Sequence, residues 1–190
     1  MLSAKLGHFL DKPLGHLVQK IPLSPNSLTV IGFLVTIAAA FVIPKNLTLG
    51  GLLILCGGFF DMLDGIAART RGTETKFGAF LDSVFDRYSD AFLFLSFAWY
   101  LAANDSHTGS FLSLGTLVGA FLISYARARA EGLGESCNTG IMERTERIIL
   151  LAFAAFTGWI VPVLWIMMIL THITVIQRVY HVRKALGNTQ

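Results

Sequence analysis

Six long apolar stretches, separated by short polar segments, organise the chain. They cover Leu28–Ile43, Leu47–Phe60, Ala79–Ala103, Phe111–Ala126, Ile148–Trp159 and Val161–Val179. An α-helix needs about 20 apolar residues to cross the hydrocarbon core of a bilayer, and several stretches reach that length only with the polar residues at one end. The pattern predicts an all-α integral membrane protein with six transmembrane helices. Gly158 and Pro162 predict a tight turn between the last two.

The first 23 residues follow a different pattern. Apolar residues recur at helical spacing from Leu2 to Ile21, with lysines between them. This arrangement is typical of an amphipathic helix that lies on a membrane surface instead of crossing it. We therefore expect a single membrane domain over residues 1–190, with an interfacial helix at residues 1–23 and a six-helix core at residues 24–182.

Composition supports the membrane assignment, and the placement of charge predicts its orientation. The chain is 54% hydrophobic and 14% charged, whereas soluble domains contain about 25% charged residues. Fourteen of the fifteen Lys and Arg residues fall at the termini and in alternate connections, and Lys45 stands alone on the other side. Because basic residues accumulate in cytoplasmic segments, both termini and the connections Asp61–Asp86 and Ala126–Arg147 are predicted to face the cytoplasm of a prokaryotic plasma membrane. The dispersed basic residues exclude nucleic acid as an expected partner.

Four aspartates interrupt the apolar pattern where the second helix ends and the third begins. Asp61 and Asp64 are three residues apart and Asp82 and Asp86 are four apart, so each pair shares one face of a helix. If the two helices face each other, four carboxylates converge, which requires cations. Hard divalent ions with oxygen ligands are the natural partners, although the spacing alone leaves their number open.

Small residues and an arginine accompany these aspartates. Gly65 and Ala68 leave a smooth helix face on which a flat ligand can approach the backbone, and Arg69 lies one turn beyond Gly65. An arginine at that position can bind a phosphate through several donors. Gly78 lies one turn before Asp82 and serves similarly, or permits close helix packing. The residues predict a phosphate-binding site that uses metal ions.

The whole segment resembles the signature of the CDP-alcohol phosphotransferase family, D-x-x-D-G-x-x-A-R, a gap, then G-x-x-x-D-x-x-x-D. Every fixed position is present, as Asp61, Asp64, Gly65, Ala68, Arg69, Gly78, Asp82 and Asp86. The resemblance covers essentially the whole chain. It implies a homodimeric lipid synthase in which the hydroxyl of an acceptor attacks the phosphorus that carries the lipid, and CMP leaves.

The resemblance also implies roles for the four aspartates. Two Mg²⁺ ions, or Mn²⁺, would lie around the CDP diphosphate, with Asp61, Asp64, Asp82 and Asp86 as their ligands. Asp86 would in addition be the general base that takes the proton from the acceptor hydroxyl.

A second element of the family, P-N-x-x-T, is present as Pro25, Asn26 and Thr29. Considered without the resemblance, this segment needs only to cap and start the first helix, through Ser24, Asn26 or Ser27. The predicted contacts with the CDP-lipid are Pro25, Asn26, Ser27, Thr29, Gly65, Ala68, Arg69, Thr75 and Gly78.

Arginines outside the signature are candidates for binding a phosphate on the acceptor. The candidates are Arg127, Arg144, Arg147 and Arg178. If these arginines only set the orientation of the helices in the membrane, they need no further role. The patterns A-R-A-E and E-R-x-E-R look like the phosphatidylinositol-phosphate synthase branch and its archaeal relatives, whose acceptor is inositol phosphate. That branch often has lysine at position 127, so glycerol 3-phosphate, the acceptor of a phosphatidylglycerophosphate synthase, stays open.

Two further questions stay open at this point. An ion or proton transporter would also hold aspartates within the membrane, but it would not require Gly65, Ala68, Arg69 and Gly78 at fixed offsets. The lipid donor is CDP-diacylglycerol or CDP-archaeol, and the sequence does not distinguish them.

Gly115 and the residue four positions later, Gly119, form a small-xxx-small pattern. Such a pattern permits close approach of two helices. The partner helix belongs either to the same subunit or to a dimer interface.

Overall fold

The computed structural model describes residues 14, 15, 18 and 22–187. Within this part the chain forms six α-helices and no strand. They are α1 (Pro25–Val42), α2 (Leu47–Arg71), α3 (Lys76–Ala103), α4 (His107–Glu131), α5 (Arg144–Thr157) and α6 (Ile160–Gly187). Each predicted apolar stretch corresponds to one helix. The predicted interfacial helix at residues 1–23 falls largely outside the described residues.

Four of these helices, α1, α2, α4 and α6, are long and apolar enough to cross a membrane. Helix α5 has only 14 residues, and α3 carries several charged residues in its first half. Large apolar side chains lie on the outside of the bundle, among them Phe41 and Trp99, each 70% exposed. An exterior of this kind suits lipid contact and indicates an integral membrane protein.

Local sequence signals delimit the helices. The Ser24 side chain accepts a hydrogen bond from the backbone N–H of Ser27 at the start of α1, and Thr75 caps α3 in the same way. Gly158, with φ 74°, ends α5 two residues before α6 begins. Only glycine adopts this left-handed conformation without steric cost, so the tight turn predicted there is confirmed.

Two apolar clusters hold the helices together. The larger one joins α3, α5 and α6 through fully buried side chains that include Phe94, Leu151 and Leu164. The smaller one joins α1 to α2 and includes Leu28 and Ile66. Because Ile66 is two residues from Asp64 in α2, the packing of α1 against α2 also sets the direction of the nearby carboxylates.

Helices α4 and α6 approach closely at Gly115 and Gly119. A side chain at Gly115 would lie 3.0 Å from Met168 Cε, and one at Gly119 would collide with Thr171. The small-xxx-small pattern therefore serves packing inside the subunit.

The starts of the odd-numbered helices and the ends of the even-numbered helices lie at one end of the bundle, which we call the site end. Asn26 of α1 lies beside Gly78 of α3. Arg144 of α5 pairs with Asp61 of α2, and Arg178 of α6 donates to the carbonyl of Ile123 in α4. The segments that carry the predicted chemistry are therefore neighbours in space.

Candidate active site

Three of the four signature aspartates form a compact group at the site end. Asp61 and Asp64 of α2 and Asp82 of α3 each offer a carboxylate oxygen within 4.8 Å of the others. Asp64 is buried, and its Oδ2 has no hydrogen-bond partner among the described residues. Like charges at this separation and an unsatisfied buried oxygen both call for a cation. The all-oxygen donor set fits Mg²⁺ or Mn²⁺.

Asp86 lies outside that group and pairs with two arginines. Its Oδ1 lies 2.7 Å from Nη1 of Arg144, and its Oδ2 accepts a hydrogen bond of 3.1 Å from Arg87. The same Nη1 of Arg144 pairs with Asp61. The guanidinium of Arg144 thus lies between Asp86 and the aspartate group, and the metal role of Asp86 stays a prediction.

A cavity of about 290 Å³ adjoins Asp64 and Asp82. Eight of the nine predicted CDP-lipid contacts line it, namely Pro25, Asn26, Thr29, Gly65, Ala68, Arg69, Thr75 and Gly78. Ser27 does not, and its hydroxyl lies 2.8 Å from that of Ser24. Thr73, Glu74 and Ala79 also line the cavity. Sequence reasoning missed Thr73 and Glu74 because the loop between α2 and α3 carries no signal of its own, and it missed Ala79 because this residue of α3 is not a fixed position of the signature.

A larger cavity, of about 540 Å³, lies between α3 and α4. Its lining is mainly apolar and includes Phe80, Phe121 and Tyr125, and it contains no carboxylate. The smaller cavity is the better candidate for a phosphate-bearing substrate because only it adjoins the aspartate group.

The two glycines of the smaller cavity have different surroundings. A side chain at Gly78 would lie 3.0 Å from both Asn26 Oδ1 and Thr75 Oγ1. At Gly65 it would meet only the end of the flexible Arg69 side chain, 3.2 Å away. The absence of a side chain at Gly78 therefore lets α3 approach the start of α1, which forms one wall of the cavity.

The four predicted acceptor arginines fall into two groups. Arg144 pairs with Asp61 and Asp86, whereas Arg127, Arg147 and Arg178 have their contacts elsewhere. Arg178 is buried and donates to the carbonyls of Ile123 and Thr139. Arg127 is exposed and pairs with Glu131 at 2.9 Å.

Asp90 is a further charged residue near this site that sequence reasoning did not identify. Asp90 is completely buried and binds Arg147 at 2.6 Å. The spacing of the aspartates could have identified Asp90, because it continues the four-residue spacing of Asp82 and Asp86 by one more turn of α3.

Comparison with known proteins agrees with this geometry. Residues 22–177 match the family described as CDP-alcohol phosphatidyltransferase. The archaetidylinositol phosphate synthase of Pyrococcus horikoshii is 39% identical over 91% of this chain and 90% of its own. The phosphatidylinositol phosphate synthase of Mycobacteroides abscessus is 33% identical over 98% and 90% respectively.

Solved structures show the same fold. The Mycobacterium tuberculosis phosphatidylinositol phosphate synthase with CDP-DAG bound superposes with a TM-score of 0.82 at 31% identity, covering 91% of this chain and 93% of that one. Its complex with manganese and citrate gives a TM-score of 0.79 at 31% identity, over 90% and 88% of the two chains. The sequence match, the fold and the complete signature together show that the chain belongs to the CDP-alcohol phosphatidyltransferase family.

Proposed function

We propose that the protein is a phospholipid synthase that transfers a phosphatidyl-type group from a CDP-linked lipid to inositol phosphate and releases CMP. The observation that carries this proposal is the group of Asp61, Asp64 and Asp82 beside a cavity lined by the rest of the signature. The relatives named as phosphatidylinositol or archaetidylinositol phosphate synthases favour inositol phosphate over glycerol 3-phosphate. The relative solved with CDP-DAG supports a CDP-lipid donor, either CDP-diacylglycerol or CDP-archaeol.

The aspartates would hold two divalent ions, Mg²⁺ or Mn²⁺. Asp61, Asp64 and Asp82 are grouped closely enough to share a cation, and Asp86 would add a ligand from the next turn of α3. Bound there, the ions would neutralise the diphosphate and make CMP a better leaving group. A manganese complex of a relative supports a divalent ion at this position.

Asp86 would act as the general base. Its carboxylate lies across the Arg144 guanidinium from Asp61, where it would accept the proton of an acceptor hydroxyl. As that proton moves to Asp86, the hydroxyl oxygen forms a bond to the phosphorus that carries the lipid, and the bond from this phosphorus to CMP breaks. Arg144 would hold Asp86 in position through their ion pair.

The two substrates would enter from different sides of the aspartates. The cytidine diphosphate would occupy the cavity of about 290 Å³, where Arg69 can reach a phosphate. The phosphate of the acceptor would bind near Arg127, Arg147 and Arg178, which lie at the site end of α4, α5 and α6. Arg144, between the two regions, would contact the acceptor as it arrives.

The remaining expectations concern the protein in its membrane. Residues 1–190 would form one membrane domain in which all six helices cross the bilayer and residues 1–23 form the interfacial helix. The site end would face the cytoplasm of a prokaryotic plasma membrane, because the basic residues concentrate in the segments that meet there. The functional unit would be a homodimer.

A substrate panel tests the proposed reaction. Purified protein in detergent receives CDP-diacylglycerol or CDP-archaeol, Mg²⁺, and one of four acceptors: inositol 1-phosphate, glycerol 3-phosphate, serine or inositol. We expect CMP release with inositol 1-phosphate, and its loss when EDTA removes the metal. CMP release with glycerol 3-phosphate alone would show that the proposed acceptor is wrong and the proposed reaction class is right. No CMP release with any acceptor would refute the proposed function.

A further inference from the structure

Asp90 and Arg147 form an ion pair inside the site end. Oδ2 of Asp90 lies 2.6 Å from Nη2 of Arg147, and the side chains of Arg147 and Asp90 are 2% and 1% exposed. Asp90 is four residues beyond Asp86 on α3, and Arg147 is three beyond Arg144 on α5. The pair is thus the inner of two parallel links between these helices, and the outer link is Asp86–Arg144.

Stability is a poor explanation for this pair. Taking two charges out of water costs several kcal/mol per ion, which is regained only when the other polar atoms of both groups are also satisfied. Here Oδ1 of Asp90 and Nε of Arg147 are buried and have no hydrogen-bond partner among the described residues. The contact from Nη1 of Arg147 to the carbonyl of Met142 is long, at 3.5 Å. Apolar side chains of similar size would fill this space at lower cost.

The position of Arg147 suggests a different role. Helix α5 packs mainly against α2 and α6, and its arginines reach across to α3. Arg147 lies one turn of α5 beyond Arg144, whose guanidinium contacts Asp61 and Asp86, so it is placed next to the candidate active site. An arginine side chain carries about 2 kcal/mol of rotamer entropy, and a single carboxylate that holds one Nη removes much of that freedom. Nε of Arg147 is buried and unpaired among the described residues, and an oxygen of a ligand that entered beside it would satisfy this donor.

We propose that Asp90 is a positioning residue that holds Arg147 in the orientation in which it binds the phosphate of the acceptor. This inference rests on the proposed function, since it requires a phosphorylated acceptor. It adds a residue outside the family signature to the machinery of the reaction. Asp90 acts only through Arg147.

A double-mutant cycle tests the proposal. The variants Asp90→Asn, Arg147→Met and their combination are assayed for the KM of inositol 1-phosphate, the KM of the CDP-lipid and thermal stability. We expect Asp90→Asn to raise the acceptor KM about tenfold. Loss of a residue that orients a ligand-binding group typically weakens binding by about 10- to 100-fold, and the expected effect is at the lower end of that range. The KM of the CDP-lipid should change by less than about twofold, since the nucleotide cavity does not include Asp90.

The combined variant decides how Asp90 acts. If Asp90 works through Arg147, removing it in the Arg147→Met background raises the acceptor KM no further. Additive increases, or an unchanged acceptor KM in Asp90→Asn, would overturn the proposal. The control is Ser113→Ala, which removes a buried hydrogen bond to the carbonyl of Phe94 and should lower stability without changing the acceptor KM.

A second comparison covers the case in which Asp90→Asn does not fold. Asp90→Leu combined with Arg147→Met leaves no buried charge and should regain thermal stability. Its acceptor KM should equal that of Arg147→Met alone, and a higher value would overturn the proposal. Failure of the proposed function is distinguishable, because the unchanged protein would then release no CMP with inositol 1-phosphate.

Discussion

Replacing Arg144 with methionine should destabilise the protein when no divalent metal is present. The Arg144 side chain is 17% exposed and pairs with Asp61 and Asp86, which are 31% and 15% exposed. Breaking a buried ion pair costs about 3–5 kcal/mol because a charge is left without compensation. The partial exposure of Asp61 places the expected loss near the lower limit, about 3 kcal/mol. In a protein of this size each kcal/mol lowers Tm by about 2–4 °C, so Tm should fall by roughly 6–12 °C.

Divalent metal should reverse much of this loss. A cation bound by the aspartates supplies positive charge where the guanidinium has been removed, so it should raise the Tm of Arg144→Met by more than that of the unchanged protein. The measurement is thermal unfolding in detergent, in EDTA and in saturating Mg²⁺ or Mn²⁺.

The matched control for this experiment is Arg127→Met. Arg127 also pairs with a carboxylate, Glu131, but the two side chains are 52% and 53% exposed. Exposed pairs contribute about 0–1 kcal/mol, so the Tm of Arg127→Met should be close to that of the unchanged protein. Metal should stabilise this variant no more than it stabilises the unchanged protein. If both variants lose the same stability in EDTA, or if metal stabilises Arg144→Met no more than the unchanged protein, the charge-compensation argument is wrong.

Three other substitutions test separate parts of the molecule. Asp86→Asn should lower the rate of CMP release by roughly 10²–10⁴ with the fold retained, and near-normal turnover would remove it as the base. Gly78→Ala, whose new side chain would lie 3.0 Å from Asn26 Oδ1, should raise the KM of the CDP-lipid more than that of the acceptor; equal effects would count against the cavity as the nucleotide site. Gly119→Leu should collide with Thr171 and cost about 1–3 kcal/mol of stability, measured as a fall in Tm; an unchanged Tm would contradict the close packing of α4 and α6.

Local pattern was sufficient to locate the helices. Apolar runs such as Phe111–Ala126 lie inside single helices, and Gly158 separates α5 from α6. These features depend on neighbours in sequence: the length of a run, a cap, or a left-handed glycine. Eight of the predicted CDP-lipid contacts line the cavity of about 290 Å³, because the signature and the P-N-x-x-T element carry most of them, although Thr73, Glu74 and Ala79 were not predicted.

The arginine contacts were not predictable in the same way. The sequence predicted that Arg144 binds the acceptor phosphate, which stays a prediction, and the structure pairs it with Asp61 and Asp86. Helical spacing shows that Arg144 and Arg147 share a face of α5. It does not show toward which helix that face turns.

The sequence by itself determined the six helices and the two carboxylate pairs, because both follow from the spacing of residues within one helix. It also determined the end of the bundle at which the carboxylates lie, because this follows from the distribution of charge. Tertiary structure decided which charges meet. Asp90 and Arg147 are 57 residues apart, and their contact depends on how α3 and α5 are rotated about their axes. The apolar packing of the whole bundle sets that rotation.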